Sequence, residues 1–178
     1  MSLFQKILRW LGLQSKQDVP TSSQKAWKEK GDLFEKWVVS KFSREYFTLK
    51  EWRSDKGVKG VYAEANQHPD LIFEFHLREV KKTFAVECKW RQNYYKGGVQ
   101  WTKKGQLQRY LTFSEEKEIP VFVVIGVGGS PDSPEELFVA PLTALKFVHA
   151  TAEHLDKFRK KNFKNSNFFF DADKNLLK

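Results

Sequence analysis

Three residues carry the chemistry that this 178-residue sequence suggests: Asp70, Glu87 and Lys89. Carboxylates are the hard oxygen ligands that Mg²⁺ prefers, together with waters and phosphate oxygens. A bound divalent ion activates water and neutralises the charge of a scissile phosphate. A neighbouring lysine orients or helps to deprotonate that water, or stabilises the developing negative charge. These residue types therefore predict metal-dependent hydrolysis of a phosphodiester.

A β-hairpin is predicted to bring the three residues together. Apolar side chains alternate over residues 70–77 and over residues 83–90, and a short charged turn at residues 78–82 joins the two runs. Glu87 and Lys89 share one face of the second strand, because side chains alternate along a strand. The start of the first strand lies beside the end of the second in a hairpin. The first strand's opening aspartate should therefore lie next to Glu87.

Short motifs recur by chance, so the alternatives have to be weighed. Pro-Asp occurs twice in the chain and Glu-x-Lys three times. The second Pro-Asp, Pro131-Asp132, lies in a loop of glycine, serine and proline and leads to no Glu-x-Lys. Only Asp70 followed by Glu87 and Lys89 combines strand context with this order. The alternative for Glu87 and Lys89 is a solvated pair of charges on the sheet.

Two predicted helices add candidate residues. Glu35 shares a helical face with apolar residues, where a carboxylate is costly unless it is paired or bound to metal. Alternatively, Glu35 sits at the edge of that face and reaches water. Gln106 and Tyr110 lie four residues apart on one face of a later helix, where they could contact the substrate backbone or orient metal ligands. The alternative there is a buried tyrosine beside an exposed glutamine.

The elements that position these residues alternate between helices and strands. The fold class expected is α/β, with a central mixed sheet flanked by helices. Besides the hairpin, the periodicity of apolar residues predicts helices over residues 24–43 and 102–114 and an amphipathic helix over 141–163 with a basic end. It also predicts strands over residues 46–52, 120–127 and 137–140, of which the second is buried. Residues 54–60 are predicted to form a loop.

The N-terminal segment is predicted to be separate from the globular domain. Residues 1–13 are amphipathic and residues 14–23 form a polar linker, so the chain divides into residues 1–25 and a domain at 26–178 with a basic helical extension at its C-terminal end. Residues 1–13 either dock on a membrane surface or a protein partner, or pack on their own domain. No apolar run approaches the roughly 18 residues of a membrane span. The single cysteine, Cys88, allows no intramolecular disulfide, so a cytoplasmic location is expected.

Charge and aromatic content point to a polyanionic partner. The formal net charge is +9, which favours nucleic acid or an anionic membrane. Residues 90–104 interleave aromatic and basic side chains with glycines, a pattern that suits unpaired bases and phosphates. The alternative is an ordinary loop whose aromatic side chains cover the edge of the sheet. The candidate substrate contacts in this segment are Lys96, Trp101, Lys103 and Lys104.

At these residues the sequence resembles the PD-(D/E)XK nuclease superfamily, and its RecB-like branch in particular. The resemblance covers about residues 30–127 and implies a restriction-endonuclease-like fold with an α-β-β-β-α-β core. Its motifs are Pro69-Asp70, then Glu87 seventeen positions later and Lys89, with Gly31 to Glu35 resembling a Gly-x-x-x-Glu helix and Gln106 to Tyr110 resembling a Gln-x-x-x-Tyr motif.

The resemblance also implies a role for each residue. Hydrolysis would depend on Mg²⁺, for which Mn²⁺ can substitute. Asp70, Glu87 and the backbone carbonyl of Cys88 would bind the metal, with Glu35 as a further member. Lys89 would serve the attacking water, while Gln106 and Tyr110 would support the substrate.

The expected substrate is nucleic acid, with DNA favoured, in repair, recombination or defence. A catalytically inactive nucleic-acid-binding domain on the same fold is the alternative. The sequence leaves open DNA versus RNA, single versus double strands, cutting at ends or internally, sequence specificity and oligomeric state.

Overall fold

The computed structural model describes residues 21–53 and 68–178. The amphipathic segment at residues 1–13 and the predicted loop at residues 54–60 lie outside the described residues. In chain order the elements are helix α1 (Ser22–Ser40), strands β1 (Phe47–Trp52), β2 (Leu71–Leu77), β3 (Val80–Arg91) and β4 (Gly98–Gln100), helix α2 (Lys104–Lys117), strands β5 (Val121–Val127) and β6 (Glu136–Pro141), a 3-10 helix (Leu142–Ala144), strand β7 (His149–Thr151), helix α3 (Ala152–Asp156), and strands β8 (Phe170–Asp171) and β9 (Leu176–Leu177).

The central sheet is mixed, as predicted. Its five strands lie in the order β1-β2-β3-β5-β6. The pairs β1–β2, β2–β3 and β5–β6 are antiparallel, whereas β3 and β5 run parallel. All seven residues of β5 are buried, as expected for a strand with a parallel partner and with both faces covered. With β4 set aside in its separate pairing with β7, the order from α1 to β5 is α-β-β-β-α-β and confirms the expected core.

The predicted hairpin forms with a shorter turn than expected. Leu77 pairs with Val80, so only Arg78 and Glu79 connect the strands. Arg78 has φ of 54°, a left-handed conformation typical of two-residue hairpin turns. The prediction that residues 78–82 form the turn is therefore wrong. Lys81 and Lys82 are exposed residues of β3. Polar residues of this kind are also typical of turns, so the sequence pattern did not distinguish the two.

Two apolar clusters cover opposite faces of the sheet, and β3 contributes to both. Phe84, Val86 and Cys88 pack with α1 and with the C-terminal phenylalanines. Ala85 packs on the other face with α2, β5 and β6. The alternation continues toward Glu87, which is 0% exposed. The face on which Glu87 lies is therefore the face covered by α2.

Helix α1 begins earlier than the sequence predicted. Thr21 caps it, with the Gln24 N–H donating to the threonine hydroxyl and the Gln24 side chain accepting from the Thr21 N–H. This reciprocal capping box fixes the start at Ser22, inside the segment that was interpreted as linker. The helix ends at Ser40, three residues before the expected end.

The predicted amphipathic helix over residues 141–163 is wrong. Leu142, Leu145 and Leu155 are buried, but they belong to a 3-10 helix, the residue that follows it and the five-residue helix α3. Between them, the Val148 carbonyl accepts a hydrogen bond from the Trp101 N–H at 3.1 Å, and β7 pairs with β4. These tertiary contacts favour an extended chain where apolar spacing alone suggested a helix. The basic residues after α3 lie in turns, in an irregular stretch and, for Arg159, in an isolated β-bridge with Phe138, so the domain has no helical extension there.

No helix within the described ranges is both long and apolar enough to cross a membrane.

Candidate active site

The register of the hairpin places Asp70 beside Glu87. Leu71 pairs with Val86, so the residue before β2 lies opposite the residue after Val86. Strand β3 continues to Arg91 beyond the start of β2, and its next backbone N–H, at Cys88, donates to Asp70 Oδ2 at 2.8 Å. The structure therefore brings the two carboxylates to the position where the hairpin opens.

Glu87 is a fully buried acid whose neighbours include Lys89 and Tyr110. Its side chain is 0% exposed and forms an ion pair with Lys89, the residue two positions along the same face. The Tyr110 hydroxyl also interacts with this carboxylate, but within the described residues neither oxygen of Glu87 has a hydrogen bond of standard geometry. Burying a carboxylate in this way is costly unless its charge is compensated. Lys89 compensates part of this charge, and an oxygen-preferring cation would complete the compensation.

The charges at this site act strongly on one another. Burial, and then the charge of Glu87, raise the pKa of Asp70 well above its ordinary value. Burial opposes the charge of Lys89, but the carboxylates of Glu87 and Asp70 outweigh it and raise the pKa of the ammonium. Two carboxylates facing one ammonium leave excess negative charge, which a divalent cation would neutralise. The donor set therefore fits Mg²⁺, which takes one or two carboxylates and completes its shell with water.

Glu35 lies near this pair on helix α1. Its Oε2 accepts a hydrogen bond from Trp52 Nε1 at 2.9 Å. Burial raises the pKa of Glu35 from 4.5 to about 7, and the charge of Glu87 adds to that shift. In residues 21–53 and 68–178, no three His, Cys, Asp or Glu side chains are grouped closely enough to hold one ion. Direct metal binding by Glu35 therefore stays a prediction.

Cys88 presents different groups to different surroundings. Its side chain is a buried free thiol in the cluster under α1, and burial raises the pKa of that thiol. Its backbone N–H is used by Asp70. The thiol itself is therefore a core group, and metal binding by the Cys88 carbonyl stays a prediction.

Helix α2 places Tyr110 and Gln106 at different depths. Tyr110 is buried, and burial together with the charges of Glu87 and Asp70 raises the pKa of its hydroxyl. Its hydroxyl is thus near the carboxylates. Gln106, one turn earlier, is half-buried, and its Oε1 accepts a hydrogen bond from the Thr102 hydroxyl at 2.9 Å. The aromatic member of the pair supports the acidic site, and the amide lies toward the surface.

The segment from β3 to α2 is more ordered than a loop. Tyr95 and Gly98 exchange backbone hydrogen bonds of 2.8 and 3.2 Å, which closes a turn before β4. Trp101 is fully buried, and its Nε1 donates to the Phe147 carbonyl at 2.8 Å. The expectation that Trp101 contacts substrate is therefore corrected, because a ring without exposed surface cannot stack on a base. Lys96, Lys103 and Lys104 are exposed.

A cleft of about 390 Å³ lies next to Lys89. Sequence reasoning missed several residues that line it, although strand alternation already places Arg91 on the face of Glu87 and Lys89. The guanidinium of Arg91 donates to the carbonyls of Trp90 and Gln100, each at 2.9 Å, so it fixes the segment that forms one wall. Other side chains on the lining are Asn93, Tyr95, Lys103 and Gln106.

No protein-family model matches this chain, and no curated protein matches its sequence. The fold is similar to that of a Holliday junction resolvase from the archaeal hyperthermophile Archaeoglobus fulgidus, with a TM-score of 0.51. The match covers 71% of this chain and 93% of the resolvase at 13% sequence identity. The comparison shows the fold, and it agrees with the restriction-endonuclease-like architecture expected from the motifs.

Proposed function

We propose that this protein is a metal-dependent nuclease of the PD-(D/E)XK type that hydrolyses phosphodiester bonds in DNA. The observation that carries the proposal is the fully buried Glu87, which lies opposite Asp70 where the hairpin opens and is paired with Lys89. A fold similar to that of a Holliday junction resolvase supports DNA as the substrate and recombination as one setting, beside repair and defence. The net charge of +9 suits a polyanion.

Each residue has a definite part in this proposal. Asp70, Glu87 and the Cys88 carbonyl would hold Mg²⁺, or Mn²⁺ in its place, and the metal would supply an activated water and charge neutralisation at the phosphate. The Lys89 ammonium would donate to that water or to a phosphate oxygen. The remaining candidates are Tyr110 and Glu35, which would orient the acidic groups, and Gln106, Lys96, Lys103 and Lys104, which would face the DNA backbone.

The proposal is tested by incubating purified protein with linear, circular, single-stranded and flapped DNA, and with RNA, in Mg²⁺, Mn²⁺ or EDTA. We expect cleavage of DNA that requires metal and disappears in Lys89→Ala. Lys82→Ala is the matched control, because Lys82 is an exposed lysine on the same strand. Metal-independent cleavage, or cleavage that survives Lys89→Ala, would contradict the proposal. Salt-sensitive DNA binding by a folded protein that cleaves nothing would favour a catalytically inactive binding domain.

A further inference from the structure

The cleft beside Lys89 is suited to a phosphate-bearing ligand. Its lining contains the three basic side chains of Lys89, Arg91 and Lys103 and no acidic side chain. Within the described residues, Lys103 has no salt bridge, and it immediately precedes helix α2. Lys89 is paired with Glu87, and Arg91 donates to backbone carbonyls. Lys103 is therefore the basic residue most available to a phosphate, and Lys89 would connect the ligand to the acidic site.

Tyr95 lines the same cleft and is an exposed aromatic residue. It is 59% exposed, its ring lies 5.3 Å from the Lys96 ammonium, and its backbone is held in place. The Tyr95 N–H donates to the Gly98 carbonyl at 2.8 Å, and the Tyr95 carbonyl lies 3.0 Å from His149 Nε2. The ring is thus presented from a fixed turn. An exposed aromatic side chain beside lysines is the combination with which proteins stack unpaired bases and hold their phosphates.

Amide groups complete the lining. Asn93 and Gln106 both reach the cleft. Gln106 uses its Oε1 to accept the Thr102 hydroxyl, which leaves its NH₂ group to donate to a ligand. Amides of this kind hydrogen-bond to the edges of bases that are not paired.

We propose that this cleft binds one unpaired nucleotide next to the phosphate that is cleaved. The preferred substrate would then be DNA with single-stranded nucleotides, such as a flap, a gap or a frayed end. The cleft has the volume of a small-molecule pocket, so a paired and stacked base would enter it only after leaving the duplex, at the cost of unstacking. That a cleaved phosphate lies next to the cleft rests on the proposed function, but binding of the unpaired nucleotide is measurable without cleavage.

The test compares the affinity of a fluorescently labelled single strand with that of a duplex of the same sequence. Fluorescence anisotropy is measured in EDTA at fixed salt for wild type, Tyr95→Ala and Phe169→Ala. Phe169 is the matched control, because its ring is 58% exposed but lies outside the cleft, beside β8. We expect the single strand to bind about tenfold more tightly than the duplex, and Tyr95→Ala to lose about tenfold for the single strand, the order of one lost stack.

Tyr95→Phe should keep the affinity, since it retains the aromatic face. Equal affinity for the two DNAs, no measurable binding of either, or equal losses in Tyr95→Ala and Phe169→Ala would overturn the inference. A protein that prefers single strands through Tyr95 but cleaves nothing in Mg²⁺ would support the binding site and contradict the proposed nuclease. Cleavage of continuous duplex as fast as of flapped DNA would contradict the substrate preference alone.

Discussion

Asp70 and Glu87 are carboxylates in positions where burial disfavours the charged form. Burial and the charge of Glu87 raise the pKa of Asp70, and the fully buried Glu87 has only the ammonium of Lys89 to compensate its charge within the described residues. Such an arrangement costs stability in the metal-free protein and is relieved by a bound cation. Active sites often hold strained electrostatics of this kind.

The first prediction is that Asp70→Asn stabilises the metal-free protein but gains less stability than wild type when metal is added. In EDTA at pH 7, the variant should unfold at a higher temperature than wild type, because the raised pKa of Asp70 means that the ionised form is disfavoured in the fold. Mg²⁺ at 100 times its Kd should stabilise wild type by about 2.7 kcal/mol and the variant by less. Thermal unfolding with and without metal measures both effects.

Asp132→Asn is the control for that experiment. It changes the second Pro-Asp of the chain, at an exposed loop position where the carboxylate accepts from the Ser130 hydroxyl at 2.6 Å. Its response to Mg²⁺ should equal that of wild type. A metal response in Asp70→Asn as large as in wild type would remove Asp70 from the metal site.

Glu35 should make the stability of the protein depend on pH. The pKa of Glu35 is about 7 in the fold against 4.5 ordinarily, so the unfolded chain releases its proton first as the pH rises. The contribution of protonated Glu35 to the free energy of unfolding is complete below pH 4.5 and is lost as the pH rises through 7. Glu35→Gln, which can still accept from Trp52, should therefore lose less stability than wild type between pH 4.5 and 8.

Thermal unfolding across that range in EDTA checks the prediction. Glu29→Gln, an exposed change in the same helix, is the control and should follow wild type. A Glu35→Gln profile parallel to that of wild type would show that Glu35 ionises normally in the fold.

At the scale of elements, helix α1 reaches the sheet through a close contact with β5. A Cβ on Gly126 would stand 2.6 Å from Phe34 Cε2, whereas a Cβ on Gly31 would meet nothing within 4 Å. We predict that Gly126→Ala destabilises the protein by about 1–3 kcal/mol through overpacking. Gly31→Ala, in the helix interior, should stabilise it by about 0.5–1 kcal/mol. Urea unfolding measures both, and a neutral Gly126→Ala would mean that α1 packs elsewhere.

The elements that carry the site were predictable because their signals are local. Alternation over β2 and β3 fixes the faces of the hairpin, and a one-residue slip would have moved Glu87 to the other face. The unbroken β-branched run of β5 identifies a buried strand. The convergence of Asp70, Glu87 and Lys89 follows from the hairpin pattern alone, and the structure places them together.

The remaining elements depend on contacts between distant segments. Strand β7 exists because it pairs with β4, about fifty positions earlier, and Trp101 is buried because the chain near Phe147 covers it. Phe170, in a short C-terminal hairpin that sequence analysis did not assign, and Phe168, just before that hairpin, complete the cluster under α1. No local periodicity reports such pairing, which explains the wrong helix over residues 141–163 and the misjudged Trp101.

At the scale of the whole molecule, the excess of positive charge should govern binding to DNA. Each phosphate contact contributes about −0.9 to the slope of log affinity against log salt concentration. We predict that Lys103→Gln, in the cleft, makes this slope less negative by about 0.9 and weakens binding to all sequences alike. Lys174→Gln, at the tip of the β8–β9 hairpin, should leave the slope unchanged. Equal slopes for wild type and Lys103→Gln would remove Lys103 from the interface.

If Glu87 holds the metal that the proposed nuclease needs, its replacement should abolish cleavage. The rate of cleavage of flapped DNA in Mg²⁺ is compared among wild type, Glu87→Gln and Glu74→Gln, with the thermal unfolding of each recorded. Glu74 is the control, a half-buried glutamate of the same hairpin that pairs with Lys50. We expect cleavage by wild type and by Glu74→Gln, and none by a folded Glu87→Gln. Full cleavage by Glu87→Gln, or none by wild type, would contradict the proposed function.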